Sequence, residues 1–164
     1  MPITDAMRAR HVVRQYLSTP LPDDVVAALR SRIEDNNRAH GTDIRLVTGD
    51  ARVFGPLWGT VRARSVRNCL VMSGPDAPDL DERLGYGGAD LMLAAQDLGL
   101  NTWWIGGTFS KRAAARVSGA TGRIVAVVAL GYGATRGSAH ASKRPEEVSS
   151  YDGEAPDWFT RGVE

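Results

Sequence analysis

The chain has 164 residues, enough for one domain with its own core and too few for two ordinary ones. Lys and Arg number 20 against 19 Asp and Glu, a formal charge of +1, which argues against the basic excess of a general nucleic-acid binder. A single cysteine, Cys69 inside an apolar run, excludes an internal disulfide; with no signal-like N-terminus and no apolar run of membrane-spanning length, the sequence predicts a soluble cytoplasmic protein.

Residues 4–11 predict a short helix, with Thr4 as its N-cap and Asp5 in the first turn. Next comes Arg10-His11-Val12-Val13-Arg14-Gln15-Tyr16. Arg10 and Arg14 share a face whether this stretch is helical or extended, because their spacing suits both periods. Two guanidinium groups pointing one way suit a phosphate or another planar anion. A solvated basic face is the plain alternative. A second basic cluster, Ser142-Lys143-Arg144-Pro145, and the pair Gly106-Gly107 weigh against it.

Leu17 to Pro22 reads as extended or turn, since Pro20 and Pro22 disfavour helix before them. Pro22-Asp23-Asp24 then opens a helix, with proline at its first position and two acids at the positive dipole end. Val25, Val26, Leu29 and Ile33 form its apolar face, and Gly41 ends it. Asp43 to Thr48 alternates as a half-buried strand, Ile44 and Leu46 inward, Arg45 and Val47 opposite. Ala51 to Thr60 is ambiguous, because Gly55-Pro56 interrupts the helical spacing of Phe54, Leu57 and Trp58. Asn68 to Ser73 is a short core strand closed by Gly74-Pro75.

Asp79 to Leu98 is the strongest helix, lined by Leu80, Leu84, Leu91, Ala94 and Leu98. Gly99 caps it, with Leu100 packing back. Gly85, Gly87 and Gly88 interrupt it at about 1 kcal/mol each relative to alanine, which points to close packing, a kink or a ligand on the backbone. Thr102 to Ile105 is a strand running into Gly106-Gly107-Thr108-Phe109. Ser110 caps a helix through Val117. Arg123 to Leu130 is apolar on both faces, as a central strand would be. Ala134 to Ser142 is small and polar, Pro145 to Val148 one helical turn, and Ala155-Pro156-Asp157 opens a last helix. These elements predict an α+β domain, a mixed sheet of about four strands with helices on its faces.

With these pieces placed, the sequence resembles the FMN-dependent nitroreductase family. Arg10 to Tyr16 is close to that family's N-terminal R-[RH]-S-x-[RK]-x-[FY] signature. The helix ending Ala95-Gln96-Asp97-Leu98-Gly99-Leu100, then Trp104 to Phe109, Val127 to Gly133 and His140 to Pro145 follow in the family's order. It looks most like a subfamily whose longer chains fold as an internal pseudo-dimer. The resemblance implies a mixed, mostly antiparallel sheet flanked by helices, and FMN as cofactor. It implies that Arg10 binds the flavin phosphate, completed by Lys143 and Arg144, with His11 and Val12 beside it. It implies that Arg14 approaches the pyrimidine edge and that Ile105, Gly106 and Gly107 offer backbone N–H groups near flavin N5. A hydride from NAD(P)H would pass through the flavin to a nitroaromatic or quinone-like acceptor, with no catalytic side chain required, in a homodimer.

There are departures. Val12 stands where the signature has serine, and Lys143-Arg144 are adjacent where the family more often spaces them by one. The family's Ala-Pro-Ser/Thr-x-Asn-x-Gln motif follows, in the similar subfamily, the segment matching Trp158 to Glu164, so the resemblance implies a chain that stops short of part of the flavin site. These departures keep open a flavin-free, nitroreductase-fold partner or binding module, and a phosphate-metabolite binder using Arg10, Arg14 and Lys143. The other constellations read as structural. His11, His40 and His140 lack acidic or cysteine neighbours at ligand spacing. Asp79, Asp81 and Glu82 suit a helix start. Ser110 reads as a cap, and Trp103-Trp104 as core before cofactor stacking.

Overall fold

The computed structural model describes residues 3–50, 52–54, 65–137 and 143–163. Four strands build its sheet: β1 (Arg45–Val47), β2 (Asn68–Gly74), β3 (Asn101–Ile105) and β4 (Arg123–Gly131). They lie in the order β1-β2-β4-β3, each neighbouring pair antiparallel. The one parallel pairing among the described residues is an isolated bridge from Val12 to Thr102, on β3. The interior place of β4 follows from its composition. Ala126 to Leu130 are all buried, and a strand without a polar face cannot sit at a wet edge.

Alternation along β2 and β4 splits the core in two. Leu70, Met72, Val128 and Leu130 meet α2 (Asp23–His40) and α3 (Leu80–Asp97) through Leu29, Ile33, Leu80, Leu84 and Leu91. Cys69, Val71, Val127 and Ala129 face α4 (Lys111–Ser118) and a 3-10 turn at Arg52–Phe54 through Ala114 and Val53. Ser110 caps α4 as expected, its Oγ accepting from the Ala113 N–H at 3.2 Å.

Some boundaries move. α1 spans Ile3–Ala9, so Thr4 lies inside it and is no cap. It stops before His11 because that ring's Nδ1 donates to the Ala9 carbonyl at 3.0 Å and β-branched Val12 and Val13 turn extended. Pro22 is the N-cap of α2, not its first helical residue. Gly41, at φ +60°, ends α2 as read from the sequence. In β1 Arg45 is exposed, and Leu46 packs with Ile44 on the first cluster as expected, but Val47 is buried as well, in the second cluster under α4. Near the end of α3 the buried contact shifts from Ala94 to Ala95, which is fully buried. Gly99, at φ +75°, ends that helix, and the Leu100 N–H returns to the Ala95 carbonyl at 2.8 Å.

Gly87 and Gly88 are there for close packing. A Cβ at Gly88 would meet the Trp104 ring and Met72 Cε, and one at Gly87 would lie 3.1 Å from Asn36 Oδ1. Gly85 faces open space. The final elements are α5 (Pro145–Val148) and α6 (Asp157–Val163). Trp158 on α6 is 68% exposed and meets Tyr151 and Phe159 ring to ring. Leu57, Trp58, His140 and Ser142 lie outside the described residues. Among the described residues no helix is long and apolar enough to cross a membrane.

Candidate functional site

The segment after α1 crosses the outer edge of β3. Val12 bridges Thr102 there. Beyond it the chain pairs with the stretch leaving β4: Tyr16 bridges Gly133, the Ala134 N–H donates to the Gln15 carbonyl at 2.8 Å, and the Leu17 N–H to the Tyr132 carbonyl at 2.8 Å. Gly137, at φ +66°, comes close enough that a Cβ would strike the His11 ring and lie 2.8 Å from the Val12 carbonyl oxygen. Residues 11–17 are thus pinned from two sides. Tyr16 is buried, donates weakly to the Ala129 carbonyl at 3.4 Å, and has its phenol pushed well above its usual range by desolvation.

Arg10 is half-buried and Arg14 exposed, on a stretch that does not alternate strictly. Val13 and Tyr16 are both buried although their separation is odd, so strict alternation fails. What orders Arg14 is aromatic. Its Cζ sits 5.2 Å from the centre of the Trp103 ring. Neither Arg10 nor Arg14 meets a carboxylate among the described residues. His11 uses Nδ1 on Ala9, and since a carbonyl only accepts, that nitrogen carries a proton; Nε2 is buried with no partner among the described residues.

β3 ends at Ile105, 3% exposed, and delivers Gly106 and Gly107 to the surface. Nothing lies within 4 Å of where either Cβ would be, so both present bare backbone to open space. The structure therefore joins Arg10, His11, Val12 and Arg14 to the strand that leads into Ile105, Gly106 and Gly107. It does not join Lys143 and Arg144 to them through any hydrogen bond or ion pair among the described residues. Arg144 Nε pairs with Glu146 at 3.2 Å and Glu147 at 3.4 Å within its own turn. Residues 138–142, which lead to that pair, lie outside the described residues.

Trp103, a partner of this site, is not distinguished from Trp104 by residue type. Trp104 packs against the α2 and α3 side and Trp103 against the α4 side, as adjacent strand residues must. Trp103 shares its face with Ile105, and that parity was the available signal. Recesses of about 380 and 530 Å³ lie elsewhere, one between α1, α2 and α3 around Arg32 and Asp90, the other near Arg30, Arg67 and Asn68. The candidate residues instead line an open sheet edge.

The fold has counterparts. A family model described as "Putative TM nitroreductase" matches residues 2–164. The chain belongs to this nitroreductase family. No curated protein matches the sequence. Among solved structures, a putative nitroreductase from Desulfovibrio desulfuricans in complex with FMN is similar with a TM-score of 0.69 at 18% identity, covering 94% of this chain and 99% of that one. The NADPH:FMN oxidoreductase of Vibrio harveyi complexed with NAD+ has a TM-score of 0.67 at 16% identity, over 98% and 82%. An FMN-dependent nitroreductase from Clostridium difficile gives 0.67 at 11%, over 90% and 98%. At these identities the likeness carries the nitroreductase fold: helices around an antiparallel sheet.

Proposed function

We propose that this nitroreductase-family chain is an FMN-dependent oxidoreductase that passes a hydride from NAD(P)H through flavin to a nitroaromatic or quinone-like acceptor. It acts as a cytoplasmic homodimer whose residues 1–164 form one nitroreductase-like domain. The observation that carries this reading is the edge of β3. There Arg10 and Arg14, without acidic partners among the described residues, flank the Val12 bridge to Thr102, on the strand that ends at the bare backbone of Gly106-Gly107. That donor set fits a flavin mononucleotide, which needs cations for its phosphate and N–H donors for its ring. Solved relatives of the fold bind FMN, and one holds NAD+.

In this reading Arg10, with Lys143 and Arg144, holds the phosphate, and His11 and Val12 shape the wall beside it. Arg14 donates to the pyrimidine edge, and the backbone from Ile105 to Gly107 faces the N5 side. The flavin, when bound, supplies the hydride chemistry. The chain's own residues bind, orient and shield it, and no side-chain acid or base is assigned. Tyr151 and Trp158, exposed and in ring contact with half-buried Phe159, support the dimer, because a partner surface would remove them from water.

The test is a titration of the purified chain with FMN followed by flavin fluorescence. Saturable quenching that is lost in Arg10→Ala is the expected result; no uptake of flavin by the wild-type chain would refute the proposal. One observation favours a second reading, a flavin-free partner subunit of the same fold. Arg144 is neutralised by Glu146 and Glu147, and Val12 offers no hydroxyl. An oligomer in native mass measurement with no flavin uptake would support that reading, and NAD(P)H oxidation dependent on Arg10 would exclude it.

A further inference from the structure

Trp103 has no role in the flavin reading above, yet it is the side chain on which Arg14 rests. The Arg14 guanidinium carbon lies 5.2 Å from the indole centre. Both partners are anchored. Trp103 stands on β3 opposite Ala129 of β4 and packs its body into the cluster under α4. The backbone of Arg14 is fixed on one side by the Val12 bridge to Thr102 and on the other by the bonds at Gln15, Tyr16 and Leu17.

A guanidinium held over a ring by cation–π attraction spends no hydrogen bond on it and keeps its five N–H donors for something else. The contact also removes beforehand much of the rotamer freedom that an exposed arginine would lose on meeting a ligand. No acid among the described residues competes for those donors. Resting on the flavin reading, we infer that Trp103 is a positioning residue. It holds Arg14 as a preset cationic donor for the carbonyl edge of a planar heteroaromatic ring, while Arg10 serves the phosphate. Affinity for the ring and affinity for the phosphate are thereby divided between two arginines of one signature.

The test compares FMN with riboflavin, which has the ring and lacks the phosphate, on the full chain and on W103L, W103F, R14A, R14K, R10A and the W103L/R14A double variant. A cation–π contact of this kind predicts that W103L weakens both ligands by about 2- to 30-fold and by the same factor. W103F, which keeps a ring face, retains most of the affinity. R14K, which keeps the charge and loses the planar fork, behaves like W103L. R10A weakens FMN and spares riboflavin. In the R14A background W103L costs nothing further. The midpoint potential of the bound flavin falls in W103L and R14A alike, because a cation held at the pyrimidine edge favours the electron-rich reduced ring.

A W103L loss that persists undiminished in the R14A background would make Trp103 merely structural and overturn the inference, as would unchanged binding in W103L. If W103L melts too low to titrate, R14K and W103F decide the question by the same comparison. Wild-type protein that takes up neither flavin would refute the flavin reading and this role with it. Uptake by wild type with no coupling between Trp103 and Arg14 would refute this role alone.

Discussion

Two glycines three residues apart on α3 should respond to the same substitution with opposite sign. Gly85 and Gly88 both sit in the interior of Leu80–Asp97. Replacing a helical glycine by alanine is worth about 1 kcal/mol in backbone terms alone. At Gly85 nothing opposes that gain, because no atom lies within 4 Å of the new methyl group. Gly85→Ala should therefore stabilise by about 0.5–1 kcal/mol. At Gly88 the methyl would run into the Trp104 ring and lie 2.9 Å from Met72 Cε. Met72 ends in a flexible methyl and can yield. Trp104 is a stiff ring on β3, paired through its backbone with Val128 of the interior strand. Overpacking of this kind costs about 1–3 kcal/mol, so the net effect of Gly88→Ala is a loss of up to roughly 2 kcal/mol. For a chain of this length each kcal/mol moves the melting temperature by about 2–4 °C. Urea unfolding of the two variants beside wild type measures the difference, and Gly88→Ala combined with Trp104→Phe should recover part of the loss. A Gly88→Ala protein as stable as Gly85→Ala would refute the close crossing of α3 over β3.

Other outcomes follow from single contacts. The Arg32 guanidinium donates to Asp90 (Nε to Oδ2, 2.8 Å) and, with Asn36 Nδ2, holds that carboxyl below its usual range against a desolvation effect of opposite sign. A depressed carboxyl contributes stability that is complete above the ordinary value near ~4 and is lost as pH falls through the lowered one. Urea midpoints measured from pH 7 downward should therefore drop more steeply below pH ~4 in wild type than in Asp90→Asn, by about 0.5–1 kcal/mol for so exposed a pair. Burial pushes the Cys69 thiol up to about 12, with Asp50 adding to the shift, so a thiol reagent at pH 8 should label it only at the rate of unfolding; prompt labelling of native protein would contradict its burial. Ser110→Ala removes the side-chain cap of α4 and should cost about 1 kcal/mol in the same urea assay.

What could be read in advance were features set by local pattern. The apolar run in β4 announced an interior strand, and Leu80, Leu84 and Leu91 announced the buried face of α3, because each statement needs only a residue's own neighbours. The double burial of Val47 was hidden: alternation shows that a strand has two faces, but not that Val53 and Ala114 arrive from distant segments to cover the second. The end of α1 was misplaced because its last turn is closed by a histidine side chain, which no helix scale counts. At the site, Arg10 to Tyr16 and Gly106-Gly107 were legible as a signature and a glycine pair. That the signature runs beside the strand leading to the glycine pair depends on the bridge from Val12 to Thr102, a tertiary fact. Parity could place Trp103 on the face of Ile105, but that Arg14 lies over its ring is again tertiary. The pairing of Arg144 was within reach, since Glu146 and Glu147 follow it by two and three residues and a helical turn brings them back.

The strand order also governs how the protein can be made. β4 joins β2 to β3, and it is the last of the four to leave the ribosome. Until it emerges, β3 has no neighbour in the sheet and β2 offers one unpaired side of seven buried residues. Helices α2 and α3 can associate early, but the sheet they are to cover stays open until residue 131 is available. Nascent chains paused before β4 therefore carry an adhesive apolar ribbon, and this interval of synthesis is where a holding chaperone would find its target.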